Sequence, residues 1–345
     1  MKESRPIIGI TMGDPAGIGP EIAAKALARE EIYRICRPLI IGDAEVMQQG
    51  MNIAGVDIYV RSINQVEEAN FQQDSMDVLD LKNVNLEHLE KGKVCASGGN
   101  AAFEAIEKVI KLALDRRVDA TVTGPINKEA LDAAGHKYAG HTEIFAQYTQ
   151  TKDYAMLLIY SDLRVIHVTT HIPLRRVSDS ITKARVLRVI ELADTACRTL
   201  GISKPRIGIA GLNPHASDGG LFGREEQNEI VPAIEAAKSA GIKVEGPLPP
   251  DTIFPQAMGG CFDICVAMYH DQGHIPLKMV GFRCDRESGR FESINGVNIT
   301  LGLPIIRTSV DHGTAFDIAG RGIASADSMI NAIEFAAKLA NKRKK

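Results

Sequence analysis

The sequence lacks the charge imbalance that nucleic-acid-binding proteins show. Of its 345 residues, 40 are Lys or Arg and 43 are Asp or Glu, which gives a formal net charge of −3 at pH 7. A protein that binds nucleic acid uses a basic face to neutralise phosphates. The Lys/Arg-rich segment 338–345 is short, and we interpret it as a solvated tail. We therefore expect no nucleic-acid partner.

The sequence also lacks long apolar runs and paired cysteines. No stretch reaches the roughly 20 apolar residues that cross a bilayer, and segment 1–6 is too charged for a signal peptide. Scattered cysteines without a Cys-x-x-Cys pair favour reduced thiols over a disulfide framework or a zinc ribbon. The six are Cys36, Cys95, Cys197, Cys261, Cys265 and Cys284. These absences predict a cytoplasmic protein with no membrane partner.

Short apolar runs, rich in Ile and Val, alternate along the chain with helical patterns. Runs with little polar alternation are typical of parallel strands buried on both faces, so we predict an α/β fold. The predicted strands are 6–12, 38–42, 56–60, 118–123, 154–160, 163–170, 206–210 and 263–268. The predicted helices are 19–29, 100–114, 178–200, 225–240 and 326–340. The charged segment 283–295 is interpreted as a surface loop or insertion.

A glycine-rich segment, 13–21, follows the first predicted strand and leads into a helix. Glycines let backbone amides approach a ligand closely, and a helix N-terminus favours an anion. The segment is not a dinucleotide fingerprint, because Ile22 stands in place of the third glycine, and it has no Walker lysine. An ordinary tight turn between strand and helix is the alternative interpretation.

Three histidines, His171, His215 and His270, each follow an apolar run and precede turn residues. The carboxyl ends of strands form the ligand crevice of an open α/β sheet, so these imidazoles can converge on one divalent cation. Imidazole with a nearby carboxylate, here Asp271 or Asp251, suits zinc, manganese, cobalt or nickel. The alternative is a set of hydrogen-bonded structural histidines. No His-Glu-x-x-His motif settles the choice.

Candidates for anion binding lie in the last third of the chain. Lys278 follows His270 on the same segment, and Asn298 and Arg307 flank an apolar stretch. A small phosphorylated carboxylate needs several fixed donors, and Arg supplies two parallel N–H groups. Each of these side chains can equally be a solvated surface group.

Several motifs in this order resemble the 4-hydroxythreonine-4-phosphate dehydrogenase family. They are TMGDPAGIGPE at 11–21, GHTE at 140–143, NPHA at 213–216, AMYHDQG at 267–273, VNITLGLP at 297–304 and RTSVDHGTAFDIA at 307–319. The resemblance implies the isocitrate and isopropylmalate dehydrogenase superfold, with two α/β domains and a crevice between them. We expect a first domain of residues 1–134 plus 317–345 and a second of 135–316, which carries the metal ligands and a dimer interface.

The resemblance also implies roles for individual residues. The metal ligands would be His171, His215 and His270, in a site shared between two subunits of a homodimer that binds one Zn, Mg, Mn or Co ion. Substrate contacts would come from His141, Thr142, Lys278, Asn298 and Arg307. By similarity to the wider superfold, NAD or NADP would be bordered by Asp14, Gly17, Gly19, Asp311, His312, Gly313, Thr314 and Asp317. Lys278, Lys128 and Asp271 are the catalytic candidates, and either lysine can handle the proton.

Two branches of the family fit to different degrees. Asn127 before Lys128, segment 273–278 and segment 153–156 resemble the catabolic branch. That branch implies oxidative decarboxylation of 4-phospho-D-threonate or 4-phospho-D-erythronate to dihydroxyacetone phosphate and CO2. The alternative is the 4-hydroxy-L-threonine 4-phosphate dehydrogenase of pyridoxal phosphate biosynthesis. A metal-dependent phosphatase or aldolase, or a non-catalytic phosphosugar-binding protein, would carry similar histidines and anion-binding groups.

Overall fold

The structure, a computed structural model, describes residues 5–284, 286, 291–294 and 296–343. The chain forms two compact units. Unit 1 comprises residues 1–152, 292–297 and 303–345, and unit 2 comprises residues 153–291 and 298–302. The expected boundaries differ from these, because segments 135–152, 292–297 and 303–316 group with unit 1.

Unit 1 contains most of the β-α repeats of the N-terminal half. Its strands are β1 (Ile7–Thr11), β2 (Arg37–Gly42), β3 (Tyr59–Ile63), β4 (Ser75–Asp80), β5 (Ala120–Thr123) and β14 (Arg307–Val310). Its helices are α1 (Gly19–Leu27), α2 (Glu30–Ile35), α3 (Ala44–Ala54), α4 (Ala96–Leu114), α5 (Lys128–Ala133), α6 (His141–Tyr148) and α12 (Asp327–Arg343).

The strands of unit 1 follow the order β3-β4-β2-β1-β5-β14, and every pair is parallel. Their apolar side chains are buried, which is why the sequence shows continuous Ile and Val runs. Ile144 and Phe145 of α6 and Ile305 before β14 belong to this unit's core. Their burial there explains why segments 135–152 and 303–316 group with unit 1.

Unit 2 is the smaller body. Its strands are β6 (Ala155–Tyr160), β7 (Leu163–His167), β8 (Ile207–Ala210), β9 (Val244–Leu248), β10 (Ile264–Ala267) and β11 (Phe282–Cys284). Its helices are α7 (Val177–Ser180), α8 (Lys183–Thr199), α9 (Val231–Ser239), α10 (Ile253–Met258) and α11 (His270–Gly281), with a π-helical turn at Glu226–Ile230. Strands β12 (Phe291–Ile294) and β13 (Val297–Leu301) each cross a boundary between the units.

The sheet of unit 2 follows the order β13-β6-β7-β10-β8-β9. β6 and β7 form an antiparallel hairpin, whereas β10 is parallel to both β7 and β8, and β8 is parallel to β9. Leu158, Val165 and Cys265 lie in its apolar core. The expected α/β class is therefore confirmed in each unit. Within the described ranges, no helix has the length and apolarity needed to cross a membrane.

Three sequence predictions need correction. The helix predicted at 178–200 is two helices, α7 and α8, because Thr182 begins a new helix by accepting the N–H of Arg185 with its hydroxyl. The strand predicted at 56–60 begins at Tyr59 instead. The segment 283–295, predicted as a loop, carries parts of β11 and β12, while its residues 285, 287–290 and 295 lie outside the described part of the chain.

A buried carboxylate holds the start of α3. Asp43 is 3% exposed, and its Oδ1 accepts the N–H groups of Glu45 and Val46 at 3.0 and 3.1 Å. Its Oδ2 accepts the N–H of Val84 at 3.1 Å. The side chain therefore caps a helix and anchors a distant loop at once.

We expect Asp43→Ala to lower the free energy of unfolding by about 2 kcal/mol, because a helix cap and a buried acceptor are lost together. Urea denaturation followed by circular dichroism measures the change. Asp57→Ala, at an exposed position, is the matched control and should have almost no effect. Equal midpoints for the two variants would contradict the anchoring role of Asp43.

Candidate active site

The three histidines predicted as metal ligands all lie in unit 2, after neighbouring strands. His171 follows β7, His270 follows β10 and His215 follows β8. These strands are parallel neighbours, with Ala267 in register with His167 and Cys265 in register with Gly208. The carboxyl ends of parallel strands share one edge of a sheet, which is where ligands bind in open α/β folds.

His171 and His270 lie side by side. Their ring centroids are 5.8 Å apart, with an angle of 43° between the planes. Two imidazoles that bind one ion at about 2.1 Å have centroids roughly 4.5–6 Å apart. Asp271 accepts a hydrogen bond from Nδ1 of His270 at 2.6 Å, which leaves the lone pair of Nε2 available. The pair therefore fits a single divalent cation.

His215 does not join this pair within the chain. Its ring lies beside Phe222, with centroids 6.4 Å apart. Among the residues that the structure describes, no group of three or more His, Cys, Asp or Glu side chains is arranged to hold a metal ion. One chain thus supplies two neighbouring imidazoles, and the third is exposed to solvent.

The segment that carries His215 has an unusual backbone. Residues 215–219 all have positive φ, from 44° at Asp218 to 75° at Ser217. A buried carboxylate, that of Glu226, accepts the N–H groups of Leu212 and Asn213 at 2.8 and 2.7 Å and so holds the start of the segment. Left-handed backbone at non-glycine residues is costly and concentrates at functional sites.

A cavity of about 520 Å³ lies at the imidazole pair. Thr170, His171, Tyr269 and His270 line it together with apolar side chains. Several large hydrophobic residues of unit 2 are exposed, three of which (Ile172, Leu174 and Ile275) line this cavity. They are Ile172, Leu174, Leu221, Phe222, Ile275 and Met279.

Helix α11 places two histidines and a lysine on one face. His270, His274 and Lys278 are spaced four residues apart, so their side chains line up along the helix. Nζ of Lys278 lies 5.0 Å from the ring centroid of Phe282. No helix was predicted here from the sequence, because Gly273 and Pro276 interrupt the pattern.

A second cluster of predicted residues lies in unit 1. Arg307 is 2% exposed and donates a hydrogen bond from Nη2 to Oγ1 of Thr123 at 2.8 Å. Its guanidinium carbon lies 5.6 Å from the ring centroid of Phe145. Burial lowers the pKa of Arg307 to about 9, and the nearby Glu143 opposes that shift. The guanidinium is thus a buried cation with the carboxylate of Glu143 nearby.

His141 and Thr142 open helix α6 beside this guanidinium. Burial, reinforced by the charge of Arg307, holds the pKa of His141 well below its ordinary value, so the imidazole is neutral. Its Nε2 atom is buried and has no hydrogen-bond partner among the described residues. Thr142 is buried next to it. The structure therefore brings His141, Thr142 and Arg307 close together, and we call these three residues the candidate anion pocket.

The remaining predicted substrate and catalytic residues lie apart from these clusters in the chain. Asn298 is on β13 and has a buried Oδ1 atom without a hydrogen-bond partner in the described part of the chain. Lys128 is exposed at the start of α5, where Asn127 caps the helix by accepting the N–H of Ala130 at 2.8 Å. Asn127, one of the residues by which the sequence resembles the catabolic branch, therefore also caps helix α5.

The two segments predicted to border the nicotinamide cofactor are adjacent in unit 1. Ile18 donates its N–H to the carbonyl of Thr314 at 3.0 Å. A Cβ atom on Gly17 would lie 2.9 Å from the Cβ of Thr314, and one on Gly19 would lie 2.2 Å from the carbonyl oxygen of Met12. Both glycines are thus required for backbone packing inside the protein.

The other predicted cofactor residues near Thr314 lie in the segment that follows β14. The backbone N–H of Asp311 donates to Oγ of Ser328 at 3.1 Å. Nδ1 of His312 donates to the carbonyl of Gly313 at 2.9 Å. Asp317 is exposed, whereas Thr314 is buried.

One residue beside segment 13–21 was missed from the sequence. Nζ of Lys91 donates to the carbonyl of Pro15 at 2.7 Å and lies near Asp14. Asp14 is 1% exposed, and burial raises its pKa from an ordinary value near 3.8 to about 6, against the opposing effects of the Ala16 N–H and Lys91. A lysine in a polar loop gives no sequence signal of such a contact.

Asp14 should make stability depend on pH. Its folded-state pKa lies above the unfolded value, so the protein loses stability as the pH rises from about 4 to about 6. We expect Asp14→Asn to raise the free energy of unfolding at pH 7 by roughly 2 kcal/mol, with no gain below about pH 4. Denaturant titrations across this range test it, with the exposed Asp57→Asn as control. A variant less stable than wild type at pH 7 would refute the argument.

Each unit has an α/β fold, and unit 2 carries two neighbouring imidazoles, those of His171 and His270. The family model described as pyridoxal phosphate biosynthetic protein PdxA matches residues 34–336. The chain belongs to this family.

Relatives match the chain along its whole length. It is 48% identical over 344 residues to the D-threonate 4-phosphate dehydrogenase of Cupriavidus necator, covering 99% of this chain and 100% of that protein. It is 45% identical to a 4-hydroxythreonine-4-phosphate dehydrogenase structure from Klebsiella pneumoniae, with a TM-score of 0.85 and 99% of both chains covered.

A more distant neighbour tests the predicted superfold. The β-decarboxylating dehydrogenase of Thermococcus kodakarensis shares 14% identity and a TM-score of 0.51, covering 95% of this chain and 81% of that one. The likeness confirms the expected fold relationship to β-decarboxylating dehydrogenases.

Proposed function

We propose that this chain is an NAD-dependent dehydrogenase of D-threonate 4-phosphate or a close 4-phosphorylated 2,3-dihydroxy acid, which it oxidises and decarboxylates to dihydroxyacetone phosphate and CO2. One observation carries the proposal. The similarity to the Cupriavidus necator enzyme spans both the anion pocket of unit 1 and the imidazole pair of unit 2. The Klebsiella pneumoniae relative supports the second candidate, the 2-amino substrate of pyridoxal phosphate biosynthesis.

The imidazole pair is the proposed place of a divalent cation. His171 and His270 would hold it, and Asp271 fixes the His270 tautomer by accepting its Nδ1 proton. When bound, the cation would polarise the substrate hydroxyl and the nicotinamide would accept the hydride. Asp271 thus acts here as a positioning residue.

The anion pocket would hold the charged end of the substrate. Arg307 brings a buried positive charge, His141 brings a neutral imidazole with an unused Nε2 atom, and Thr142 brings a hydroxyl. A fixed guanidinium binds phosphate or carboxylate through two parallel hydrogen bonds. Asn298 and Lys278 are proposed to complete the substrate contacts.

Lys278 is our candidate for proton transfer. It lies on the same face of α11 as His270, about 12 Å along the helix axis, and helical side chains lean toward the N-terminus. That distance is within the combined reach of a lysine and an extended four-carbon phosphate. Lys128, exposed in unit 1, is the alternative.

A second copy of the chain is proposed to complete the cation site. His215 is exposed and lies outside the His171–His270 pair, while the cavity at the pair is lined by the exposed apolar residues Ile172, Leu174 and Ile275. An apolar surface of this kind favours association with another protein surface. In a twofold-symmetric homodimer, His215 of each chain could reach the imidazole pair of the other.

The proposed location is the cytoplasm. All five cysteines whose side chains are described, Cys36, Cys95, Cys197, Cys261 and Cys265, are free thiols. Free thiols suit a reducing compartment.

The substrate proposal is tested by NAD reduction at 340 nm with D-threonate 4-phosphate and with 4-hydroxy-L-threonine 4-phosphate. We expect faster turnover of the 2-hydroxy acid, loss of activity with EDTA and recovery when a divalent cation is added back. Lys278→Met should lower kcat by 10²-fold or more, whereas Lys128→Met is the matched control. Turnover of the 2-amino acid alone would favour the biosynthetic candidate, and no NAD reduction with either would reject the dehydrogenase proposal.

The shared cation site is tested by mixing inactive variants. When His215→Ala and His270→Ala chains exchange at random, half of the dimers are mixed and one of their two sites is complete. We therefore expect about a quarter of wild-type activity to return. A mixture of His171→Ala with His270→Ala should stay inactive, because both residues belong to the same chain's pair. Recovery in that control mixture would overturn the assignment.

A further inference from the structure

We propose that a buried histidine pair, His167 and His274, positions the ring of His270 for cation binding. The inference rests on the proposed function only in taking His270 as a cation ligand. Neither His167 nor His274 was among the residues singled out from the sequence. Both lie in unit 2, beneath the imidazole pair.

His274 stacks directly on His270. Their ring centroids are 3.6 Å apart and their planes are inclined by only 12°. His274 is 7% exposed, and its Nδ1 donates to the carbonyl oxygen of His270 at 2.9 Å, one helical turn earlier. The ring of His274 is therefore fixed by its own helix and forms a flat support for the ligand ring.

His167 supports His274 from the core. It is the last residue of β7, is fully buried, and donates from Nδ1 to the carbonyl oxygen of Met156 at 3.2 Å. Its ring centroid lies 4.7 Å from that of His274. Three imidazoles thus run from the strand end to the ligand ring.

Helix α11 has a glycine, Gly273, at the position where it contacts His167. A Cβ atom on Gly273 would lie 2.3 Å from Nε2 of His167 and 2.7 Å from a methyl carbon of Val165. Only glycine lets α11 approach β7 so closely while His167 keeps its place. Gly273 is therefore part of the same support.

Ordinary core packing does not account for the pair. Nε2 of His167 is buried without a hydrogen-bond partner among the described residues, which costs free energy that an apolar residue at this position would avoid.

The support is needed because His270 is partly exposed. Its side chain is 38% exposed and Asp271, its hydrogen-bond partner, is 70% exposed. A hydrogen bond to a solvated carboxylate sets the tautomer but leaves the ring free to tilt about it. The stack on His274 restricts the remaining tilt of the His270 ring.

The test measures Co²⁺ binding by the full-length protein without NAD or substrate, using titration calorimetry and the visible absorption of bound Co²⁺. We expect His274→Ala to weaken binding by about 10-fold or more, as loss of an outer contact to a metal ligand does. His274→Phe, which keeps a flat ring, should bind within about 3-fold of wild type. Gly273→Ala, which keeps all three imidazoles but displaces His167, should also weaken binding.

His136→Ala is the matched control. His136 stacks on Phe103 in unit 1, with centroids 3.7 Å apart and an interplanar angle of 13°. The His136→Ala variant therefore loses a similar ring contact that does not involve His270. It should bind Co²⁺ like wild type, and thermal unfolding shows whether each variant is folded. If His274→Ala and Gly273→Ala both bind Co²⁺ with the affinity of wild type, this inference is wrong, whereas the proposed cation site is unaffected. Absence of Co²⁺ binding by wild type would instead overturn the proposed cation site.

Discussion

The parallel pairing of β7, β10 and β8 is the constraint on which the candidate site depends. Because parallel strands end at one edge, the loops that follow them must carry His171, His270 and His215 to that edge. Helix α11 starts where β10 ends, so its first turn presents His270 and its second presents His274. The strand order thus determines which histidines lie at the same edge of the sheet, and the side-chain contacts determine the angles between their rings.

The sequence predicts the fold where burial is purely apolar and fails where polar groups are buried. β1, β2 and β6 are continuous apolar runs and were found within a residue or two. β4 escaped prediction because Asp77 is buried in it, at 1% exposure, where it accepts the N–H groups of Asn70 and Phe71. Such a strand is stabilised by hydrogen bonds to a loop that the local pattern does not show.

The candidate site was predictable to a similar extent. Position after a strand identified His171, His215 and His270, whereas the gathering of His141 and Arg307 in one pocket came only from family resemblance. His167 was missed because a histidine inside a strand pattern resembles any other core residue, and His274 because no helix was predicted around it. Contacts between residues far apart in the chain, such as Lys91 with Pro15, leave no local pattern at all.

The left-handed backbone of residues 215–219 bears on the role proposed for His215. Four of these residues carry side chains, and each pays roughly 1–2 kcal/mol to hold positive φ. Glu226 holds the start of the segment by accepting the N–H groups of Leu212 and Asn213. If His215 binds the proposed cation only in this shape, the apparent dissociation constant is the intrinsic one divided by the fraction of molecules that hold the shape. On the proposed function, a carboxylate that never touches the cation would therefore set part of the affinity at His215.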